Sequence, residues 1–277
     1  MEERKEKVRK IAQQLNIIDD TMFQKMAEDA GFCEEMISTI LQQAVTVKKV
    51  TPQNSIRNLQ GRSVTLDALC VLENQKQCMV EVQKANDDDH QRRMRYNTSC
   101  ITANITDPGL KFRQVPDVIG IYISKFDLFQ AGKTVYHVER VIGETGEVLD
   151  NGLYEIYVNA KVDDGSDIAQ LMRIFIEDTA YDFEKFPRVS QRKRQFKEED
   201  GGTNNMCDLV EQYAKEYAKE YAEEVAEERV KENARGNALR FFQNGGSYEL
   251  VRASIPSLSD EDLQEIYREA GREIPEK

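Results

Sequence analysis

A chain of 277 residues is long enough to bury one large core and carry an appendage besides. Its composition, 40% hydrophobic and 32% charged with a mean hydropathy of -0.64, is that of a soluble protein, and no apolar run approaches the ~20 residues that span a bilayer. The net charge of -12 counts against a broad, non-specific hold on nucleic acid, which rests on lysine and arginine displacing counterions. The acidity persists when the segment 211–232 is set aside, so any nucleic-acid surface must be local.

The opening "MEERKEKVRK" is charged rather than apolar and reads as no secretory signal, so the expected location is cytoplasmic, with no membrane partner. The cysteines, at 33, 70, 78, 100 and 207, are scattered and never spaced C-x-x-C. They read as small core residues in a reducing compartment. With only His90 and His137 available a structural zinc site is not expected, and no G-x-S-x-G elbow supports a hydrolase triad.

In chain order, "NIIDDTMFQKMAEDAGFCEEMISTILQQA" (16–44) spaces its apolar residues by three and four, which predicts a helix that Asp19 or Asp20 can cap. After "VTVKKVTPQNS" the period changes to two. In 63–72, Val64, Leu66, Ala68, Cys70 and Leu72 share one face of a strand, and Thr65, Asp67, Leu69 and Val71 the other. A second strand, 78–84, follows across "ENQK", a connection short enough for a hairpin. "NDDDHQRRMRYNTSCITANIT" predicts a helix closed by "DPG" at 107–109. Its Asp-Asp-Asp run suits a helix N-terminus, with Asp88 and Gln91 spaced as a capping box, better than a second metal site.

"DVIGIYISKF" (117–126) is apolar almost throughout, as in a strand covered on both faces. Strand candidates at 134–142 and 153–160 flank "GETGEVLDNG", and helical spacing returns at 166–178. This order predicts an α/β fold with helices around a mixed central sheet. The basic run "PRVSQRKRQFK" (187–197) suits either a phosphate track or a solvated charge run. The composition breaks at "EEDGGTNN" (198–205). Beyond it "YAKEYAKEYAEEVAEERVKEN" predicts a long charged amphipathic helix, either solvated or forming a homodimer contact. In the tail, "NGGS" and "SLSDEDL" mark a small helical, helix-turn-helix-like unit or a plain helical hairpin. The expected organisation is therefore 1–200, 201–240 and 241–277.

Two acids stand in apolar strands. If the hairpin pivots about Asn74, Asp67 and Glu81 lie opposite one another, with Cβ atoms about 4.5–5.5 Å apart. Ionised carboxylates at that spacing repel by roughly 3 kcal/mol at an effective dielectric of 20, and desolvation adds to the penalty. One may hold a proton, each may find a basic partner, or a divalent cation may bridge them. Oxygen ligands on a rigid hairpin suit Mg²⁺ or Mn²⁺. A one-residue slip would instead point one acid at solvent. Gln83 shares the face of Glu81 and can hold a water or a phosphate oxygen. Arg92 and Tyr96, four apart on the next helix, share a face that can reach a phosphate.

An acid in "TLDAL", then Glu-x-Gln in "VEVQK", then a helix with "RRMRYN" resembles the PD-(D/E)XK nuclease family transposases, also called recombination-promoting nucleases. "DDTMFQKM" matches that family's Asp-x-x-Phe start through Asp20 and Phe23, and the resemblance covers about the first 200 residues. It implies a restriction-endonuclease-like core and a metal-dependent DNA endonuclease. In that reading Asp67 and Glu81 ligate Mg²⁺, Gln83 occupies the position held elsewhere by lysine, and Asp20 is an accessory acid. Arg92 and Tyr96 match the family's helix positions after the motif, and the tail "NGGSYELVRASIPSLSDEDLQEI" resembles its C-terminal turns. Two departures stand out: a neutral Gln83 supplies no positive charge to a developing phosphorane, and Gln24, not lysine, follows Phe23. The rival expectation is a non-catalytic DNA-binding or assembly protein on the same fold.

Overall fold

The apolar spacing of 16–44 is divided between two helices, α1 (Asp20–Ala27) and α2 (Ala30–Leu41), not carried by one. Asp29 makes the break, because its Oδ1 accepts from Phe32 N at 2.7 Å and starts a second helix where the first would have continued. Asp19 precedes α1 without capping it. Its carboxylate accepts instead from Asn16 N at 2.8 Å and from Lys84 Nζ at 2.6 Å. The computed structural model describes residues 10–11, 13–57, 62–86, 89–255 and 258–272, without the side chains of most of 212–228 and of a few other positions from 200 onward.

Residues 45–55, where the sequence only signalled a change of period, form the edge strand β1 (Val47–Ile56). An edge position tolerates Pro52, which has no N–H to give a ladder. β2 (Val64–Leu72) and β3 (Gln77–Gln83) make the expected hairpin, with Ala68 opposite Val80 and Cys70 opposite Cys78. Helix α3 (His90–Ile105) crosses over to β4 (Val118–Ser124), which runs parallel to β3. Asp89 caps α3, accepting from Arg92 N at 3.0 Å, while the Asp88 of the expected capping box lies outside the described residues. β5 (Val135–Val138) and β6 (Leu153–Asn159) complete a six-stranded mixed sheet in the order β1-β2-β3-β4-β6-β5.

Helices cover both faces, as the fully buried β4 requires. On one face α1, α2, α4 (Asp167–Ile176) and α5 (Pro187–Glu198) enclose a core in which Phe23, Phe32 and Phe175 meet with ring centroids 6.1 to 6.4 Å apart. On the other, α3 packs Met94 and Ile101 against Leu66, Met79 and Tyr122. Gly120 lets α3 approach, since a Cβ there would stand 2.5 Å from Met94 Sδ. This is the α/β restriction-endonuclease-like architecture. Among the described residues no helix is long and apolar enough to cross a membrane.

The β1–β2 ribbon does not keep one face throughout. Ala68, Cys70 and Leu72 belong to the α1/α2 core, whereas Val64 and Leu66, of the same parity, belong to the α3 core. β1 changes sides as well, from Val50 to Ile56. The turnover falls at Gln53, whose backbone is left-handed (φ 46), and at Asp67 beside it. In β1 the exchange coincides with the left-handed Gln53, whereas β2 has no positive-φ residue of its own.

Three cations of the basic run 187–197, Arg192, Lys193 and Lys197, turn onto backbone carbonyls, while Arg188 and Arg194 are exposed. Arg192 donates to Met26 O at 3.0 Å and Lys25 O at 2.7 Å, at the C-terminus of α1. Lys193 is fully buried and donates to Ile174 O at 2.9 Å, Ala180 O at 3.1 Å and Glu177 O, the carbonyls at and beyond the end of α4. Lys197 pairs with Asp178 and donates to Gln13 O. Helix C-termini present unpaired carbonyls and partial negative charge, which is what draws these cations inward.

The glycines of "EEDGGTNN" are not a linker. Helix α6 (Asp200–Gln243) runs through them, and a Cβ on Gly202 would collide with Gln195 O of α5. By its contacts the chain forms two compact units, 1–211 and 212–277. In the second, the end of α6, α7 (Tyr248–Ser254) and α8 (Asp260–Glu269) enclose Ala238, Phe242, Val251, Leu263 and Ile266. Arg235 bridges Glu265 and Glu269 on its surface. The Tyr-Ala quasi-repeat lies largely among the side chains outside the description.

Candidate active site

One step beyond the Ala68–Val80 pair, the hairpin register sets Asp67 opposite Glu81. The ladder stops there, and Asp67 Oδ2 accepts from Val82 N at 2.8 Å. The carboxylate thus takes the N–H that a backbone carbonyl would take in a regular ladder, at the fork where β2 and β3 part. Asp67 is thereby aimed at β3. Glu81 is 6% exposed on the α3 face, where Asn97 Nδ2 reaches its Oε1 at 3.4 Å. Gln83, two residues on, accepts from Arg93 Nη1 at 3.3 Å and donates to Ala85 O at 3.1 Å.

Asp20 opens α1 on the opposite face of the sheet. The Asp19–Lys84 ion pair draws that helix start to the end of β3, so Asp20 shares the field of the other two acids. Burial, then the charge of Asp20, pushes the Asp67 carboxyl up to about 7, against the opposing pull of Val82 N–H and Arg93. Glu81 is driven well above the ordinary carboxylate range by burial first and Asp67 second. Asp20, although exposed at its surface, is raised by the protein packed around it and by Asp19. Arg93 lowers all three. It is the cation common to the cluster.

The structure therefore brings Asp20, Asp67, Glu81 and Gln83 together at one end of the sheet. Arg92 and Tyr96 stand to the side. The Arg92 side chain is 78% exposed, with Nε 3.2 Å from Asp89, and the Tyr96 hydroxyl donates to Arg62 O at 2.5 Å. Arg93 and Asn97 were not singled out from sequence, although a signal existed. Buried His90, Met94, Asn97, Thr98 and Ile101 follow helical spacing, and Arg93 is three residues from His90 and four from Asn97. The pairing of Arg92 with Tyr96 follows the same four-residue rule one position away, on the neighbouring stripe.

A cleft of roughly 900 Å³ opens over Glu81, walled by Arg62 and Ser63 on one side and by Arg92, Arg93 and Tyr96 on the other. Among the described residues no three His, Cys, Asp or Glu side chains are gathered at metal-ligand spacing. The donor chemistry of the Asp67–Glu81 pair nonetheless suits a hard divalent ion: two buried carboxylates on adjacent strands, Glu81 burdened by the charge of Asp67 and Asp67 by that of Asp20, are relieved by such an ion. Beside them a guanidinium offers planar hydrogen-bond donors to an anion.

Comparison with curated proteins and with solved structures finds no match. A family model described as PD-(D/E)XK nuclease family transposase matches residues 21–172, from the residue after Asp20 through β1 to β6 and most of α4. That span is more than half of the chain and contains Asp67, Glu81, Gln83 and Arg93, and the chain belongs to the PD-(D/E)XK nuclease family transposases.

Proposed function

We propose that the protein is a Mg²⁺- or Mn²⁺-dependent endonuclease that hydrolyses DNA phosphodiester bonds in recombination or transposition. One observation carries this reading: Asp67 is held opposite Glu81, and Glu81 lies at the base of an arginine-lined cleft. Asp67 and Glu81 would hold the ion. When bound, it supplies Lewis-acid polarisation of a phosphate oxygen and a lowered pKa for an attacking water.

The chain's own residues do the rest. Gln83 orients the water, and the bond from Arg93 fixes its amide. Arg93 supplies the positive charge that a glutamine in the lysine position withholds, balancing charge that develops on the phosphate. Asp20 is an accessory acid whose negative field raises the affinity of the pair for a cation. Arg92 grips a neighbouring phosphate. DNA is the partner, the cytoplasm the place of action, and α6 the segment through which a homodimer would form.

A second reading, a nuclease-fold protein that binds or assembles on DNA without cleaving it, is favoured by Gln83, a neutral side chain already engaged by Arg93 and Ala85. Plasmid nicking with Mg²⁺ and with Mn²⁺ separates the two. Cleavage by the wild type and its loss in Asp67→Ala and Glu81→Ala are expected. Equal activity in all three removes the site assignment, and no cleavage by the wild type with either ion leaves the second reading.

A further inference from the structure

The cleft over Glu81 has a second wall, at Arg62, that the hydrolytic reading does not use. Its two walls come from different parts of the chain and are tied together. On one side the residues entering β2, Arg62 and Ser63, form the lip; on the other stands α3 with Arg92 and Arg93. The Tyr96 hydroxyl donates to Arg62 O at 2.5 Å, while its ring packs on the α3-side core. Tyr96 therefore spends its hydrogen bond on protein backbone. Arg62, on the far wall, is fixed in place by it.

Three arginines line the cleft against one exposed acid, Asp89, which pairs with Arg92 Nε at 3.2 Å, so its walls are a local positive surface in a chain of net charge -12. Glu81, at the base, is buried, so the walls present guanidinium groups to an occupant. Guanidinium forks match phosphate oxygens bidentately. The geometry points to a phosphate-backbone site: Arg62 and Arg92 grip the phosphates flanking the one at the acid pair, and Tyr96 acts as a positioning residue for Arg62. This inference rests on the nucleic-acid substrate proposed above but not on hydrolysis.

The test is the salt dependence of oligonucleotide binding by the full chain, measured in EDTA and again with Ca²⁺, with single-stranded and duplex DNA as separate arms. Arg62→Ala and Arg92→Ala are each expected to reduce the slope of log affinity against log salt by about 0.7 on a single strand or about 0.9 on a duplex. Arg62→Lys should keep the slope, since it keeps the charge. Tyr96→Phe should reproduce part of the Arg62→Ala loss, and Arg188→Ala, on α5 and outside the cleft, should change nothing.

Unchanged slopes in Arg62→Ala and Arg92→Ala, or no binding by the wild type in either arm, overturn the inference. Metal-dependent nicking that persists beside unchanged slopes leaves hydrolysis standing without this site. Reduced slopes without nicking leave the site standing without hydrolysis.

Discussion

Arg93 Nη1 lies 3.3 Å from Gln83 Oε1, which places a guanidinium against the residue that stands where a lysine is expected. The same arginine opposes the raised proton affinity of Asp20, Asp67 and Glu81. A charge absent from β3 is thus supplied from the first turn of α3.

Arg93→Ala should lower metal-dependent nicking by about 10²–10³-fold, the scale on which removal of one preorganised charge donor is felt. Arg93→Lys should recover part of that loss, whereas Arg92→Ala should act on binding more than on turnover. Single-turnover cleavage against enzyme concentration checks the split. An Arg93→Ala enzyme as fast as the wild type would place the compensating charge elsewhere.

The acid cluster makes stability depend on pH. The folded protein holds a proton on Asp67 up to about pH 7, whereas the unfolded chain releases it near 3.8, so the folded state binds more protons between those values. Stability is then greatest below that window and falls as pH rises through it. In EDTA the melting temperature should drop on the order of 5–10 °C between pH 5 and pH 8.5, at about 1.4 kcal/mol per pKa unit and about 2–4 °C per kcal/mol. Asp67→Asn should flatten the profile, and Mn²⁺ should restore the wild type at pH 8.5. A wild-type profile in EDTA as flat as that of Asp67→Asn would contradict the buried-acid assignment.

Lys193 tests the basic run as a structural device. Its ammonium is fully buried against the carbonyls of Ile174, Glu177 and Ala180, and burial draws its pKa down to about 8. Lys193→Met leaves those carbonyls without their donor and should cost about 3 kcal/mol or more in urea unfolding, at 1–3 kcal/mol for each orphaned group. Arg194→Met, on an exposed position of the same helix, should cost less than about 0.5 kcal/mol.

Gln53 tests the strand turnover. At φ 46 it carries the left-handed cost that glycine avoids. Gln53→Gly should be neutral or mildly stabilising, and Gln53→Val should lose about 1–2 kcal/mol. If Gln53→Val also lowers nicking while the Asp67–Val82 bond is lost in its crystal structure, the turnover is what aims Asp67.

Much of this molecule was legible in one dimension. Alternation in 63–72 and 78–84 located the hairpin, and the observed register sides with a pivot about Asn74 over the one-residue slip that the alternation left open. The unbroken apolar run at 117–126 announced a strand covered on both sides. Local signals failed where a distant group intervened. Asp29 divided the helix expected across 16–44, and β1, with its lysines and Pro52, carried no apolar alternation to read.

The sequence by itself determined the order of strands and helices in the α/β core and the two acids in neighbouring apolar strands, since these follow from periodicity and spacing, while the pairing of Asp67 with Glu81 waited on the hairpin register. Tertiary structure alone decided the direction of Asp67, the entry of Arg93 into the acid cluster and the inward use of Arg192 and Lys193. Each depends on a partner far off in the chain: an N–H on another strand, a helix laid over Gly120, the carbonyls at another helix's end. A charge declares its sign in sequence. Its role is set by which unpaired group of opposite polarity the fold brings to it.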